Sequence, residues 1–257
     1  MSIANEITRL NTAKANIKTA IGNKGITIGS SVKIDSYPTY INQIQTFDPY
    51  NGHDYVEIGG LKWATMNIGA NSVTDYGQYF QWGDTTGFFS GSVGTSGTTY
   101  AKPFRWADYK LGNGRTSPGN SGMTKYNAND GKKVLDICDD AARADWCGSW
   151  RMPTLAELVA LFAAANTALT TDYQGSGVSG LVLTDKTDSS KVLFFPGAGE
   201  ANSGSIPNMG CGNYWTSSLY NSNRQNAYQL YFDFQSAFWE NSYGYRFSGF
   251  SVRAVVG

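Results

Sequence analysis

The chain has 257 residues, which is long enough for one large domain with an appendage, or for two small domains, and long enough to bury a substantial core. Its 20 basic and 20 acidic residues give a formal net charge of zero, which argues against nucleic acid or an anionic membrane as a partner. Charged residues make up only 16% of the chain and aromatic residues 14%, with 30 glycines, a composition that suits short strands and tight turns and excludes an all-helical protein.

The first heptads of the chain predict an amphipathic helix. Apolar residues recur there at alternating steps of four and three, the spacing of a heptad seam, and Lys14 fills the one core position that is not apolar. Isoleucine at both kinds of core position favours a coiled coil of three or more helices, so we expect a homotrimer. The alternative is a solvated helix that packs on its own domain. Asn23-Lys-Gly predicts that the helix ends near Gly22 to Gly25. The seam consists of Ile3, Ile7, Leu10, Ile17 and Ile21.

The opening segment combines this helix, a glycine turn and a second short helix-forming run, Tyr37-Pro-Thr-Tyr-Ile-Asn-Gln-Ile. Over residues 1–46 it resembles the N-terminal attachment segments of phage tail proteins. The resemblance implies that residues 1–47 join the chain to other phage tail proteins, and that the mature protein is located at the tail tip of the virion.

The chain begins without the basic and apolar regions of a secretory signal, and it has no apolar run long enough to cross a membrane. We therefore expect synthesis in the bacterial host cytoplasm and no membrane insertion. Cys138, Cys147 and Cys211 are an odd number of cysteines, so reduced thiols are expected, with a Cys138–Cys147 bridge after release as the alternative.

From Asp48 onward, short β-type runs alternate with turn residues. Thr154-Leu-Ala-Glu157 is a capping box followed by apolar residues at helical spacing, which predicts a helix. A second helix is predicted near Asp139, whose carboxylate would cap the amides of residues 141–143.

Two further segments are expected to pack against this domain. Residues 146–154 contain two tryptophans, a glycine and a proline, which predict a packed elbow. Residues 84–131 predict a long irregular insertion rich in Gly, Ser, Thr and Asn. A flexible linker is the alternative, but the aromatic residues of the insertion favour packing. They are Phe88, Phe89, Tyr100, Phe104, Trp106 and Tyr109.

Five short motifs follow one another along residues 48–257. They are Gly60-Leu-Lys-Trp-Ala-Thr-Met-Asn67, Tyr76-Gly-Gln-Tyr-Phe-Gln-Trp-Gly-Asp84, Trp150-Arg-Met-Pro-Thr154, Tyr214-Trp-Thr-Ser-Ser218 and Gly249-Phe-Ser-Val-Arg-Ala-Val255. Together they resemble the C-type-lectin-like fold of formylglycine-generating enzymes, bacterial paralogous surface domains and variable proteins of diversity-generating retroelements, including phage tropism determinants. The resemblance implies an α+β fold whose final strand pairs back near the beginning of the domain, with residues 211–250 forming one exposed face.

Residues 214–252 correspond to the variable region of such a protein. The loops at 220–226 and 240–248 consist almost only of Asn, Ser, Tyr, Gly, Gln and Arg. These residues are typical of antibody paratopes, because tyrosine offers contact area with few torsions and small polar residues offer adaptable hydrogen bonds. The resemblance also implies adenine mutagenesis, which converts asparagine codons into codons for Tyr, Ser and Asp. An ordinary polar loop surface beside an aromatic core is the alternative.

Between these loops, residues 227–235 alternate as one strand. The alternation predicts a buried face with Tyr228, Leu230, Phe232 and Phe234, and an exposed face with Gln229, Tyr231, Asp233 and Gln235.

The chain is accordingly predicted to be a non-enzymatic receptor-binding protein of a phage tail, with a bacterial cell-surface receptor, protein or glycan, as its partner. A bacterial surface-binding protein of the same fold is the alternative. The predicted anchors are Tyr231, Tyr243, Tyr245 and Phe247. The predicted polar contacts are Asn221, Asn223, Arg224, Asn226, Gln229, Asp233 and Asn241, and the site also includes Tyr220, Gln235, Phe238 and Ser248.

Patterns for catalysis and metal binding are largely missing from the sequence. His53 is the one histidine and lies in an Asn-Gly-His-Asp turn, so we expect it to be exposed and to form neither a zinc site nor a hydrolase triad. No Walker loop or convincing dinucleotide fingerprint occurs, and no cofactor is predicted.

The two activities suggested by relatives of the fold also lack their residues here. Formylglycine-generating relatives use a cysteine pair near the C terminus, whereas only Cys211 lies there, which argues against an oxidase. The calcium-binding triplets of animal lectins are missing. For the acidic residues Asp136, Asp139 and Asp140, helix capping is favoured over a calcium site.

Overall fold

The structure is a computed structural model that describes residues 2–22, 26–41, 50–92, 102–115, 122–233 and 238–257. The chain divides into two compact units, residues 1–48 and 49–257, one residue after the predicted boundary. In these ranges no helix is both long enough and apolar enough to span a membrane.

The first unit consists of helix α1 (Ile3–Gly22), a 3-10 turn (Ile34–Ser36) and helix α2 (Tyr37–Ile41). The predicted helix is confirmed, and it extends to Gly22, the first residue of the range 22–25 in which we expected it to end. Ile21, near the end of α1, is buried with Ile28 and Tyr37. The rest of the apolar seam is exposed: Ile3 at 81%, Ile7 at 55%, Leu10 at 53% and Ile17 at 40%. The seam of α1 therefore remains available to another chain.

The second unit contains three small antiparallel sheets beside its helices, a mixed helix-and-sheet structure that is compatible with the predicted α+β class. The first sheet has the order β1 (Tyr55–Ile58), β2 (Leu61–Ala64), β9 (Val255–Val256). The second has the order β3 (Ala165–Thr170), β4 (Gly180–Asp185), β5 (Val192–Pro196), and the third β6 (Gly212–Leu219), β7 (Asn226–Asp233), β8 (Phe238–Tyr245). Further 3-10 turns lie at Ser90–Ser92, Trp106–Asp108, Ile137–Asp139 and Tyr173–Gly175.

The last strand closes the unit against its beginning, since Val255 of β9 pairs with Trp63 of β2. Just before β9, the guanidinium of Arg253 is only 1% exposed. It donates to the carbonyl of Ala64 at 2.9 Å and to that of Phe194 on β5 at 2.8 Å, so one side chain ties the first sheet to the second. Burial lowers the pKa of Arg253 to about 10.

Two helices flank the sheets. Helix α4 (Leu155–Ala164) begins with the predicted capping box between Thr154 and Glu157. Helix α3 (Ala141–Trp146) is capped by Asp140, not by Asp139 as predicted. The reason is tertiary: the Asp139 carboxylate accepts hydrogen bonds from Lys125 and Tyr126, which leaves Asp140 to accept from the backbone amide of Arg143.

The predicted elbow is packed as expected: Trp146 is only 5% exposed, and Trp150 is fully buried. The indole of Trp150 donates to the Tyr50 carbonyl at 2.6 Å. The prediction that His53 is exposed is wrong: it is half-buried, and its ring stacks on Trp146 with centroids 3.8 Å apart. Its turn lies directly over the elbow, so the indole covers the imidazole.

The insertion also packs against the domain. Phe104 and Tyr109 are buried, and Phe88 and Trp106 are half-buried. Phe89 is exposed, and Tyr100 lies outside the described residues. For the described part, the flexible-linker alternative is therefore wrong.

Candidate functional site

The third sheet carries most of the predicted binding residues, and core residues cover both of its faces. On one face, Trp215 and Ala227 pack with Phe250; on the other, Leu230 and Phe232 belong to a second core cluster. Leu230 and Phe232 are buried as predicted. Phe234 and Gln235 lie outside the described residues.

The other face of β7 was predicted to be exposed, and for Gln229 this prediction is wrong. Gln229 is only 5% exposed, because it lies opposite Trp215 of β6, on the face that packs against Phe250. Tyr228 was predicted to be buried and is half-buried, since it lies opposite Tyr243 and beside the ring of Tyr220, away from the core.

One cluster of rings lies where β7 and β8 meet the loop after β6. Tyr220 stacks on Tyr243 with centroids 4.1 Å apart and planes at 13°, and it meets Tyr228 edge-on at 5.2 Å. Tyr243 is 49% exposed. Its ring is thus held by stacking while half of its surface remains free for contact.

A second cluster of rings follows two residues further along the chain. Tyr245, 50% exposed, stacks on Phe247 at 5.5 Å and 15°, and Trp106 of the insertion packs on Phe247 at 4.8 Å. Because alternate residues of a strand point to the same face, Tyr243 and Tyr245 lie on the same face of β8. We call the two clusters together the aromatic surface: Trp106, Tyr220, Tyr228, Tyr243, Tyr245 and Phe247.

The loop after β8 is fixed by Arg246, a residue that the sequence analysis did not single out. Arg246 is fully buried. Its guanidinium donates to the hydroxyl of Tyr109 at 2.8 Å and to the carbonyls of Lys125 and Arg224 at 3.0 Å each, and it lies over the ring of Trp82 at 4.8 Å. These contacts bind the loop between Tyr245 and Phe247 to the insertion and hold the aromatic surface in place.

Two cavities adjoin the aromatic surface. One, of about 270 Å³, is lined by Glu200, Asn226, Gln229, Tyr243, Gly244, Tyr245, Ser248 and Phe250. The other, of about 360 Å³, is lined by Arg105, Trp106, Ala107, Ser203 and Phe247. Asn226, Gln229 and Ser248, which we predicted to be contacts, are each less than a tenth exposed. Only a ligand group that enters the first cavity could reach their side chains.

The other predicted site residues whose side chains are described lie in two separate parts of the third sheet, the loop after β6 and the far end of β7. Asn221 is exposed, and Asn223 and Arg224 are half-buried in the same loop as Tyr220. The Tyr231 hydroxyl donates to the Asp233 carboxylate at 2.9 Å, toward the far end of β7. Five residues along a strand separate Tyr231 from Asn226, a distance of about 16 Å. The side chains of Phe238 and Asn241 are outside the described part.

The acidic residues Asp136 and Asp139 are bridged by a lysine. The Lys125 ammonium bonds to both carboxylates, and Lys132 bonds to Asp136. Hydrogen bonds from the two lysines lower the pKa of Asp136. With Cys138, these carboxylates are close enough together to ligate an ion, but the lysine ammonium already supplies the positive charge there. Cys138, Cys147 and Cys211 form no disulfide with one another.

Comparisons with protein-family models, with curated proteins and with solved structures find no match to this chain. Its function has to be inferred from the geometry of the site itself.

Proposed function

We propose that this chain is a non-enzymatic receptor-binding protein of a phage tail, in which a C-type-lectin-like domain presents the aromatic surface to a receptor on the bacterial cell. The single observation that carries the proposal is the pair of half-exposed, stacked tyrosines, Tyr243 and Tyr245, on a strand whose sheet is packed on both faces.

The proposal is supported by the rigidity of these rings. A tyrosine that is already stacked loses little rotamer freedom on binding, so more of the contact free energy appears as affinity. A tyrosine side chain carries about 200 Å² of surface, so covering the exposed half removes about 100 Å² from water and contributes up to about 2.5 kcal/mol.

The exposed seam of α1 supports a second part of the proposal, a homotrimer joined through the N-terminal helix. Ile3, Ile7 and Leu10 are each more than half exposed, although isoleucine and leucine favour burial. Several copies on one particle raise the effective concentration of each weak site and increase avidity by about two to four orders of magnitude. The same segment would attach the chain to other tail proteins.

The proposal is tested by replacing the two exposed tyrosines with alanine in the full chain. The labelled protein is mixed with a panel of bacterial strains, and Tyr243→Ala/Tyr245→Ala should lose most of its cell binding. Each ring also buries about half of its surface, so by the same coefficient the free energy of unfolding should fall by no more than about 2.5 kcal/mol per ring, and circular dichroism checks that the variant is folded. Tyr55→Ala is the matched control, since Tyr55 is 39% exposed on β1, in a different sheet. Undiminished binding by the double variant would overturn the proposal.

A further inference from the structure

The smaller of the two cavities beside the aromatic surface is lined by two residues whose side-chain amides are buried. Asn226 is 6% exposed and Gln229 is 5% exposed, and both line the cavity. Among the described residues, neither the Asn226 Oδ1 nor the Gln229 Oε1 atom has a hydrogen-bond partner. Residues 226 and 229 of β7 point to opposite faces of the sheet, and Gln229 is the one on the face of Phe250. A buried carbonyl oxygen without a donor is destabilising, so the Gln229 Oε1 atom in this cavity points to a ligand that supplies a donor.

The charge of the cavity also indicates a ligand that donates hydrogen bonds. Among the described residues that line it, Glu200 is the only one with a charged side chain at neutral pH. One of the Glu200 carboxylate oxygens accepts from the side-chain amide of Asn202 at 2.7 Å, which orients the carboxylate. The cavity therefore offers hydrogen-bond acceptors and a net negative charge.

Tyr243 and Tyr245 also line the cavity, on either side of Gly244. Their rings lie on the opposite face of β8 from Gly244, where a Cβ would meet Phe250, so the acceptors of the cavity come from Gln229 and Glu200. A sugar hydroxyl both donates and accepts, whereas an ammonium or a guanidinium group only donates. An unpaired acceptor and a carboxylate in one cavity fit the second kind of group.

We propose that this cavity binds the cationic end of a lysine or arginine side chain on the receptor. The inference deepens the proposed function and rests on it. It names one specific contact: the cation would donate to the Gln229 Oε1 atom and face the carboxylate of Glu200.

The test uses the full chain and small probes in titrations followed by NMR. Nα-acetyl-lysine methylamide and Nα-acetyl-arginine methylamide should bind saturably with a dissociation constant of about 1 mM, the range expected for probes of this size, and the tighter probe identifies the side chain. Nα-acetyl-norleucine methylamide, which lacks the charge, and methyl α-glucoside, a neutral polyol, should not bind.

Isosteric variants locate the site. Glu200→Gln should weaken binding of the cationic probes about tenfold, and Gln229→Glu should strengthen it by a similar factor, since each changes one charge at an acceptor position. Glu57→Gln is the matched control: it removes the same charge from an exposed position on β1 and should leave binding unchanged.

Three results would overturn the inference: no saturation by the cations up to about 20 mM, about twenty times the expected constant; equal binding of norleucine methylamide; or binding of the glucoside. The two proposals fail separately. If the cations do not bind but the tyrosine double variant still loses cell binding, only the cavity inference is wrong. If the cations bind but the double variant keeps its cell binding, the cavity is a cation site, but receptor binding through the aromatic surface is wrong.

Discussion

Replacing Arg246 with methionine should destabilise the second unit strongly. Methionine keeps an apolar stem but removes the guanidinium, whose three shortest hydrogen bonds reach the Tyr109 hydroxyl and the carbonyls of Lys125 and Arg224. Their loss costs about 1 kcal/mol each. Loss of the cation over the ring of Trp82 adds about 1 kcal/mol. We therefore expect a loss of about 3–5 kcal/mol in the free energy of unfolding.

The opposing effect is desolvation, because Arg246 is a fully buried charge. An apolar replacement removes that desolvation cost, but it leaves the carbonyls of Lys125 and Arg224 without their donor. When only one partner of a buried network is removed, the cost of the unsatisfied acceptors exceeds the gain in desolvation free energy. Urea unfolding followed by tryptophan fluorescence measures the difference. Arg105→Met is the control, because Arg105 is half-exposed in an ion pair with Asp108 and should contribute less than about 0.5 kcal/mol. A loss below about 1 kcal/mol for Arg246→Met would refute this reasoning.

Three other predictions concern the helices and the acidic residues. Thr154→Ala removes one side of the capping box of α4 and should lower the free energy of unfolding by about 1 kcal/mol in the same urea assay, whereas no change would mean that the cap is dispensable. Leu10→Asp places a charge in the exposed seam of α1 and should convert the proposed trimer to a monomer in sedimentation velocity; a wild-type chain that already runs as a monomer would contradict the trimer. Hydrogen bonds from Lys125 and Lys132 lower the pKa of Asp136, so its contribution to stability is present above the unfolded-state pKa of about 4 and is lost as the pH falls through the lowered folded-state value. Asp136→Asn should therefore flatten the loss of stability below about pH 4, and an unchanged pH profile would show that this carboxylate is not coupled to folding.

The parts of the fold that the sequence predicted well depend on local contacts. The end of α1 at Gly22 and the capping box at Thr154 involve residues within a few positions of one another, so their pattern is visible without the rest of the chain. The choice between Asp139 and Asp140 as the cap of α3 was not visible, because it depends on Lys125, which is distant in sequence and pairs with Asp139.

The sequence predicted which residue types form the candidate site, but not how deeply each side chain is buried. Tyr243 and Tyr245 are half-exposed as an alternating strand at the surface suggests. Gln229 is buried because core residues cover both faces of the third sheet, which single-strand alternation cannot reveal. Arg246 lies in a loop of exposed-looking residues, and its bonding partners at Tyr109 and Lys125 are more than a hundred residues away.

The most direct test of receptor binding through the aromatic surface is hydroxyl-radical footprinting of the wild-type chain, free and bound to bacterial cells. Mass spectrometry of the oxidised side chains should show protection of Tyr220, Tyr243 and Tyr245 on binding, with Tyr55 oxidised equally in both states. Protection confined to other residues, with these tyrosines as reactive on cells as in solution, would contradict the account.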